Sequence, residues 1–143
     1  MSRNYYSEIN LHIVWHTKAS LPMLNSEIEA RTHRFLRQRI IETPEVFVHE
    51  IGGTENHVHL CITIPPTLTI SDYIGQLKGA ASHEINHSNA TRDKLLQWQS
   101  GYGVVSFGKK NLEWVKQYIR NQKEWHRGNR VVNRLEQITE EEI

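Results

Sequence analysis

Two histidines separated by one residue stand at the start of an apolar run in the middle of the chain. In the stretch ENHVHLCITIPP, residues 55–66, His57 and His59 flank Val58. Side chains two apart on a strand share one face, so the two imidazoles lie together and the apolar side chains lie on the opposite face. Their Cα atoms would lie about 6.6 Å apart, which lets both rings reach one metal ion. Two histidines at this spacing are more often simply polar residues on the exposed face of a strand. A metal site is a better interpretation only if the chain also supplies a third ligand and a reaction that uses the metal.

The segment LEWVKQYIRNQKEWH, residues 112–126, supplies a candidate third ligand and a candidate nucleophile. On a helix Tyr118 and Gln122 are one turn apart on the same face. A neighbouring apolar stripe can dock this helix and leave the two polar side chains facing a partner surface. A lone tyrosine at a helix boundary is commonly structural, with a wet hydroxyl. The amide one turn away and the histidine pair elsewhere favour a functional tyrosine instead.

This combination predicts metal-assisted attack on a phosphodiester. A phenol is a poor nucleophile near neutral pH because its pKa is about 10. A divalent cation polarises a phosphate oxygen and neutralises the developing charge. Two imidazoles and the Gln122 amide oxygen suit Mg²⁺ or Mn²⁺, and imidazoles favour Mn²⁺ somewhat. The product would be a covalent phosphotyrosine, which a second DNA hydroxyl could attack to join strands without ATP.

The hydrophobic patterning predicts which elements must position these residues. The predicted order is β-α-β-β-α-β followed by a helix, the split-βαβ, ferredoxin-like class of α+β fold. Its sheet is antiparallel, with helices on one face and a C-terminal helix that carries the tyrosine. The predicted strands are 7–17, 46–51, 57–64 and 96–107, and the predicted helices are 27–42 (capped by Asn25 or Ser26), one from Ser71 or Asp72, and 109–126. Gly52–Gly53 is predicted as a turn between the second and third strands.

Length and composition set limits on the classes of protein. The chain has 143 residues, enough for one domain, 1–143. Cys61 is the only cysteine, which excludes a disulfide framework. No apolar run approaches the roughly 18 residues of a membrane span, and no signal peptide is visible. A cytoplasmic location is therefore expected.

Positive charge is concentrated in residues 109–134. The net charge is only +1, but residues 109–134 carry eight basic side chains against Glu113 and Glu124, a balance of 8 − 2 = +6. A solvated helix face and a phosphate-binding surface explain this stretch about equally well. The acidic tail, about 135–143, is expected to be frayed.

Five segments, in this order and spacing, resemble the single-tyrosine HUH transposases of insertion sequences, which include the tyrosine transposases associated with repeated extragenic palindromes. They cover nearly the whole chain: HIVWHTK, VHEIGGTENHVHL, ISDYIGQLKGAAS, WQSGYGVVSF and VKQYIRNQKEWH. The chain departs from the pattern at Trp125, where a second histidine is frequent. The tyrosine and the amide of the final motif are intact.

The resemblance implies a role for each motif residue. His57 and His59 match the paired histidines that bind the metal, and Gln122 matches the third ligand. Tyr118 matches the nucleophile, which becomes linked to the DNA 5′ end and leaves a free 3′-OH. The resemblance also implies a homodimer, in which the tyrosine helix can complete the partner's metal site, and single-stranded DNA hairpins at element ends as substrates.

Further residues are candidate contacts for DNA. Lys78 and the basic residues of the tyrosine helix would bind phosphates, and two aromatic residues could stack unpaired bases. For Lys78 a solvated lysine, and for Trp98 core packing, are at least as good explanations. His12 and His16 could support the metal histidines from outside the ligand shell, although ordinary surface histidines are the favoured interpretation. The DNA-contact candidates are Lys78, Trp98, Tyr102, Arg120, Lys123 and Arg127.

Two other functions stay open. One is a ferredoxin-like module that binds single-stranded DNA or RNA without chemistry, with structural histidines. The other is a nickase of the replication-initiator type that uses the same histidine pair. The joint presence of His57, His59, Tyr118 and Gln122 weighs against the first, and the short chain without a helicase-like phosphate loop weighs against the second.

Overall fold

Alternating side chains along four strands give the protein a sheet with two chemically different faces. The computed structural model describes residues 4–88, 94–128 and 130–138. The elements are β1 (Ile9–His16), α1 (Ser26–Ile41), β2 (Phe47–Thr54), β3 (His57–Ile64), α2 (Ile70–His87), β4 (Gly103–Phe107), α3 (Leu112–Arg120), α4 (Gln122–Arg127) and α5 (Asn133–Glu136). Two short 3₁₀ turns, Lys18–Ser20 and Lys109–Asn111, precede α1 and α3.

The four strands form one antiparallel sheet in the order β2-β3-β1-β4. The order and the two helices between the strands are those of the predicted ferredoxin-like arrangement, so the α+β fold class is confirmed. In the register of the central pair, Trp15 lies opposite Val58 and Val14 lies opposite His59. Trp15 and Val58 therefore share one face of the sheet, and Val14 and His59 share the other.

The first face packs against α1 and α2 and holds the main hydrophobic core. From the sheet it buries Trp15, Leu60 and Ile62, and from the helices Leu36 and Leu77. The predicted cap of α1 is confirmed for Asn25, whose side chain accepts a hydrogen bond from the backbone N–H of Ile28 at 3.0 Å. Burial of large aliphatic and aromatic side chains on this face supplies most of the hydrophobic stabilisation.

The second face is covered by α3, α4 and α5, with α3 lying against β2 and β3. Val115 and Ile119 of α3 pack on Cys61. Gly52 permits this approach, because a Cβ built there would collide with the carbonyl oxygen of Ile119. The predicted turn at Gly52–Gly53 is wrong: β2 continues through both glycines and the chain reverses at residues 55–56.

The C-terminal half departs from the predicted pattern in three places. The strand expected over 96–107 is shorter, and Trp98 forms only an isolated bridge with Thr17. The helix expected over 109–126 breaks at Asn121 into α3 and α4, and α3 begins only at Leu112. In the segment expected to fray from about residue 135, α5 is formed and Leu135 is buried; residues 139–143 lie outside the described residues.

Within the described residues, no helix is both long and apolar enough to cross a membrane.

Candidate active site

Polar side chains from β3, α3, α4 and α5 meet on the second face of the sheet, next to the first residues of β3. The residues that converge there are His57, His59, Tyr118, Gln122, His126 and Glu136. All come from one chain. The predicted nucleophile and the three predicted metal ligands are thus neighbours in the fold, although up to 65 residues separate them in sequence.

His57 is buried and held in a fixed orientation by the turn that precedes β3. Its Nδ1 lies 2.7 Å from Asn56 Oδ1 and 2.9 Å from Thr54 Oγ1. Two amide oxygens, which only accept, face this ring: Asn56 Oδ1 at Nδ1, and Gln122 Oε1 at 3.2 Å from Nε2. The shorter contact assigns the proton to Nδ1, which donates to Asn56. The lone pair of Nε2 then points into the cluster, which is the tautomer a metal ligand needs.

His59 is fully buried, and its support comes from the neighbouring strand. Its Nδ1 lies 2.7 Å from Nε2 of His12, which is itself buried. His59 Nε2 is buried and has no hydrogen-bond partner among the described residues. Buried polar atoms are rarely left unpaired, so this nitrogen fits a missing ligand such as a metal ion. The surface interpretation of His12 is wrong, and its alternative role as a support for a site histidine fits the geometry.

Burial keeps these imidazoles neutral. It lowers the pKa of both His12 and His57 to about 3. It also holds the pKa of His59 well below its usual range, and the positive charge of a nearby protonated histidine would lower it further. Neutral imidazoles have a free lone pair, so the pair can bind a cation at neutral pH without first losing a proton.

Gln122 directs its amide oxygen into the same cluster. Gln122 Oε1 lies 3.2 Å from His57 Nε2 and 3.0 Å from His126 Nε2, while its amide nitrogen donates to the carbonyl oxygen of Tyr118. His126 was not a predicted site residue. The signal for it was its spacing, since it follows Gln122 by four positions and falls one turn further along the same stripe.

Tyr118 is buried at the centre of the site. Its hydroxyl donates to the Glu136 carboxylate and accepts a hydrogen bond from the backbone N–H of Val132 at 2.9 Å. The Tyr118 ring meets the ring of His59 edge-on with centroids 6.1 Å apart. Burial and the carboxylate acceptor raise the pKa of Tyr118 to about 12, so the phenol is protonated at neutral pH in this conformation.

Glu136 reaches the histidines from α5. Its Oε1 lies 3.2 Å from His59 Nε2, 3.4 Å from His126 Nε2 and 3.6 Å from His57 Nε2. No sequence pattern selects this residue, because it belongs to the segment expected to be a frayed acidic tail. One ligand atom from each of these four residues lies within 4.8 Å of the others, a spacing that fits a single metal ion.

The basic candidates of α3 and α4 border a separate cleft beside β2. Arg120, Lys123 and Arg127 line this cleft, which has a volume of about 390 Å³. Arg120 pairs with Glu50 at 2.8 Å and Lys123 pairs with Glu29 at 2.7 Å. In each pair the cation is exposed, whereas the carboxylate is only 14% exposed, so a DNA phosphate would have to compete with these carboxylates for the cations. The predicted DNA contacts stay predictions.

The other three DNA-contact candidates hold the loop before β4. Lys78 donates from its ammonium group to the carbonyl oxygens of Gln99 and Gly101 at 2.9 and 2.8 Å. Trp98 donates to the carbonyl oxygen of Lys78 and meets Trp15 edge-on, and Tyr102 packs against the main core. All three are only partly exposed. Their contacts give each a structural role, whatever they do with DNA.

Comparison with known proteins identifies the family of this chain. Residues 5–122 match the family model described as "Transposase IS200 like". The transposase for insertion sequence element IS200 of Salmonella typhimurium is 28% identical over 117 residues, which are 79% of this chain and 76% of that protein. The ISDra2 transposase TnpA of Deinococcus radiodurans is 24% identical over 125 residues, 84% of this chain and 88% of the relative.

The fold also matches a solved structure of a tyrosine transposase. The structure of the REP-associated tyrosine transposase bound to a REP hairpin superposes with a TM-score of 0.61 at 14% identity, covering 92% of this chain and 75% of the other. At that identity the likeness concerns the fold alone.

Proposed function

This chain belongs to the family of IS200-like transposases, and we propose that it cuts and rejoins single-stranded DNA through a covalent intermediate on Tyr118. The observation that carries the proposal is the position of the Tyr118 hydroxyl in the same buried cluster as His57, His59 and Gln122. A phenol held beside a preformed set of metal-binding side chains is what tyrosine attack on a phosphodiester requires.

In the proposed reaction the Tyr118 hydroxyl oxygen attacks the scissile phosphorus. The new oxygen–phosphorus bond replaces the bond between phosphorus and the 3′ oxygen, the phenolic proton is lost, and the departing 3′ oxygen gains a proton. The products are a 5′-phosphotyrosine and a free 3′-OH. Because one phosphodiester replaces another, a 3′-OH from a second strand can reverse the attack and join the ends.

The metal would be held by His57, His59 and Gln122, and either Mg²⁺ or Mn²⁺ suits this mixed set of nitrogen and oxygen donors. When bound, such a cation polarises a phosphate oxygen and neutralises charge that develops during attack. Asn56 and His12 hydrogen-bond the far nitrogens of the two imidazoles, and so keep the metal-facing nitrogens aligned without a metal.

The segment around α5 has to move before a DNA phosphate reaches the nucleophile. In this conformation the backbone of Val132 and the carboxylate of Glu136 hold the Tyr118 hydroxyl, and the tyrosine is only 1% exposed. Withdrawal of Glu136 would expose the hydroxyl and remove a negative charge that raises its pKa. Both changes favour nucleophilic attack.

DNA hairpins are the proposed substrates, because a structural relative is bound to a REP hairpin. Arg120, Lys123 and Arg127 would bind backbone phosphates, which gives affinity that falls steeply with salt. The proposed assembly is a homodimer that holds two DNA ends. Within one chain the ring of Tyr118 lies 6.1 Å from the ring of His59, which supports a site built by a single subunit, while the resemblance also allows the tyrosine helix to complete the partner's site.

The test uses labelled single-stranded hairpin DNAs and Mn²⁺, followed by a denaturing gel. Wild-type protein is expected to form an adduct that survives denaturation, whereas Tyr118→Phe binds the same DNA and forms none. Tyr73→Phe is the matched control, since Tyr73 packs in the core on the opposite face of the sheet, where its hydroxyl donates to Thr43. An adduct in Tyr118→Phe overturns the assignment of the nucleophile. Absence of any adduct in wild-type protein, with DNA binding indifferent to chelation, favours the non-catalytic binding module.

A further inference from the structure

We propose that Glu136 is a ligand of the divalent cation in the DNA-free protein, so that α5 closes the metal site. This inference rests on the proposed function, which places the cation at His57 and His59, and it adds a carboxylate to that ligand set.

The first support is the position of the carboxylate. Glu136 Oε1 lies 3.2, 3.4 and 3.6 Å from the Nε2 atoms of His59, His126 and His57. Adjacent ligands of an octahedral ion with bonds of about 2.1 Å are about 3 Å apart. One oxygen therefore stands at near-ligand spacing from three imidazole nitrogens, one of which, His59 Nε2, is buried without a hydrogen-bond partner among the described residues.

The second support is charge. The Glu136 side chain is 15% exposed. In the part of the chain that the structure describes, only histidines come within ion-pair distance of it. A largely buried carboxylate needs a compensating charge, and a cation among these imidazoles would supply it.

The third support is that contacts on both sides of Glu136 fix the segment that carries it. The backbone of Gln137 lies directly on β4, where a Cβ at Gly103 would collide with its carbonyl oxygen. Leu135 is buried and lines the same apolar cleft as Val115. Arg134 donates to the carbonyl oxygen of Ser106 at 3.2 Å. Packing of residues 134, 135 and 137 therefore holds the Glu136 carboxylate beside the histidines.

The second carboxylate oxygen links this ligand to the nucleophile. Glu136 Oε2 accepts the hydrogen bond of the Tyr118 hydroxyl, while Oε1 faces the histidines. A scissile phosphate in the proposed reaction has to contact the same two groups. The phosphate would therefore take the place of Glu136, one oxygen ligand exchanging for another.

The experiment measures Mn²⁺ binding to the full chain without DNA, by titration calorimetry. We expect Glu136→Ala to weaken Mn²⁺ binding by about tenfold or more, because ligand charge and number set the affinity of such sites. Glu136→Gln keeps the shape of the side chain but removes its charge, and should also weaken binding. The matched control is Glu113→Gln, since Glu113 is 74% exposed on α3 and pairs with Lys116, away from the histidines.

A second readout separates ligation from a loss of structure. The visible absorption of bound Co²⁺ reports the identity and geometry of its ligands. The spectrum should change in Glu136→Gln and remain that of the wild type in Glu113→Gln. A Glu136→Gln protein with wild-type Mn²⁺ affinity and an unchanged Co²⁺ spectrum would overturn the inference.

The double variant His57→Ala/His59→Ala distinguishes the two proposals. Loss of Mn²⁺ binding in this variant, together with wild-type binding in both Glu136 variants, would refute only the role of Glu136. Wild-type binding in the double histidine variant would refute the metal site of the proposed function itself.

Discussion

The two faces of the sheet are built from alternate residues of the same strands, yet one face is an apolar core and the other holds the polar candidate site. On one face Trp15, Leu60 and Ile62 pack under α1 and α2 in a continuous apolar core. On the other face His57 and His59 lie under α3 to α5, among polar side chains that hydrogen-bond one another.

The difference shows how a small domain can contain a buried polar site. Burying neutral imidazoles and a carboxylate costs free energy, and the apolar face has to offset that cost. The apolar contribution of the second face is small by comparison, a cluster around Cys61, Val115 and Ile119. The first face should therefore control stability and the second face metal binding and chemistry.

The largest contrast is expected between neighbours on β3. Leu60→Ala should lower the free energy of unfolding by about 2–5 kcal/mol, because it leaves a cavity in the main core. His59→Ala should cost less, about 1–3 kcal/mol, mainly because it leaves His12 without its partner. Only His59→Ala should abolish Mn²⁺ binding. Urea denaturation and calorimetry test this, and a greater loss of stability in His59→Ala would contradict the assignment of the two faces.

Acid should destabilise the protein through the polar face. The pKa values of His12 and His57 are lowered to about 3 in the folded protein, against about 6.5 in the unfolded chain. Between these values the unfolded chain binds more protons than the folded protein. The free energy of unfolding is therefore highest above about pH 6.5 and falls as the pH drops below that value. The slope should be about 1.4 kcal/mol per pH unit for each histidine.

Denaturation in EDTA from about pH 7 to about pH 4.5 measures that slope. His12→Asn should make it shallower. A stability that does not change over this interval would show that these histidines are not buried in the neutral form.

Two glycines provide a contrast in packing. Gly52→Ala should destabilise by about 1–3 kcal/mol, because the new Cβ meets the backbone of α3. It should also weaken metal binding, since α3 leads into the helix that carries Gln122. Gly75→Ala on α2 has open space around the new Cβ, and should stabilise by about 0.5–1 kcal/mol. Thermal and urea unfolding test both, and equal effects would refute the close packing of α3.

The smallest effect concerns the cap of α1. Asn25→Ala removes the acceptor for the Ile28 N–H, and should cost about 1 kcal/mol. Because α1 packs on the first face, Mn²⁺ affinity and adduct formation should stay at wild-type levels. A change in either one, at unchanged fold, would show that the two faces are coupled.

Local pattern was sufficient for much of the fold and for the first site residues. Strict alternation predicted β1 and β3, and spacing placed His57 with His59 and Tyr118 with Gln122. The resemblance to the transposase family is confirmed by the family model. These features depend on residues close together in the sequence, where strand and helix periods apply directly.

What pattern could not supply depends on contacts between distant segments. Gly52 was predicted in a turn, whereas it lies in β2 because α3 approaches there. His12 was only the less favoured candidate for a supporting role until strand pairing placed it against His59, and Glu136 reaches the site because its segment packs on β4. An acidic sequence alone indicates a solvated tail, and only tertiary packing reveals that one of its carboxylates is directed inward.

The central claim is that Tyr118 attacks DNA beside the histidine pair, and mass spectrometry of the protein–DNA adduct tests it most directly. After reaction with hairpin DNA and Mn²⁺, nuclease trimming and trypsin digestion, the nucleotide mass should lie on the peptide QYIR, residues 117–120, which contains Tyr118 as its only tyrosine. The modification should be absent in His57→Ala/His59→Ala. Nucleotide attached to another tyrosine, or attached to this peptide without the histidine pair, would contradict the account.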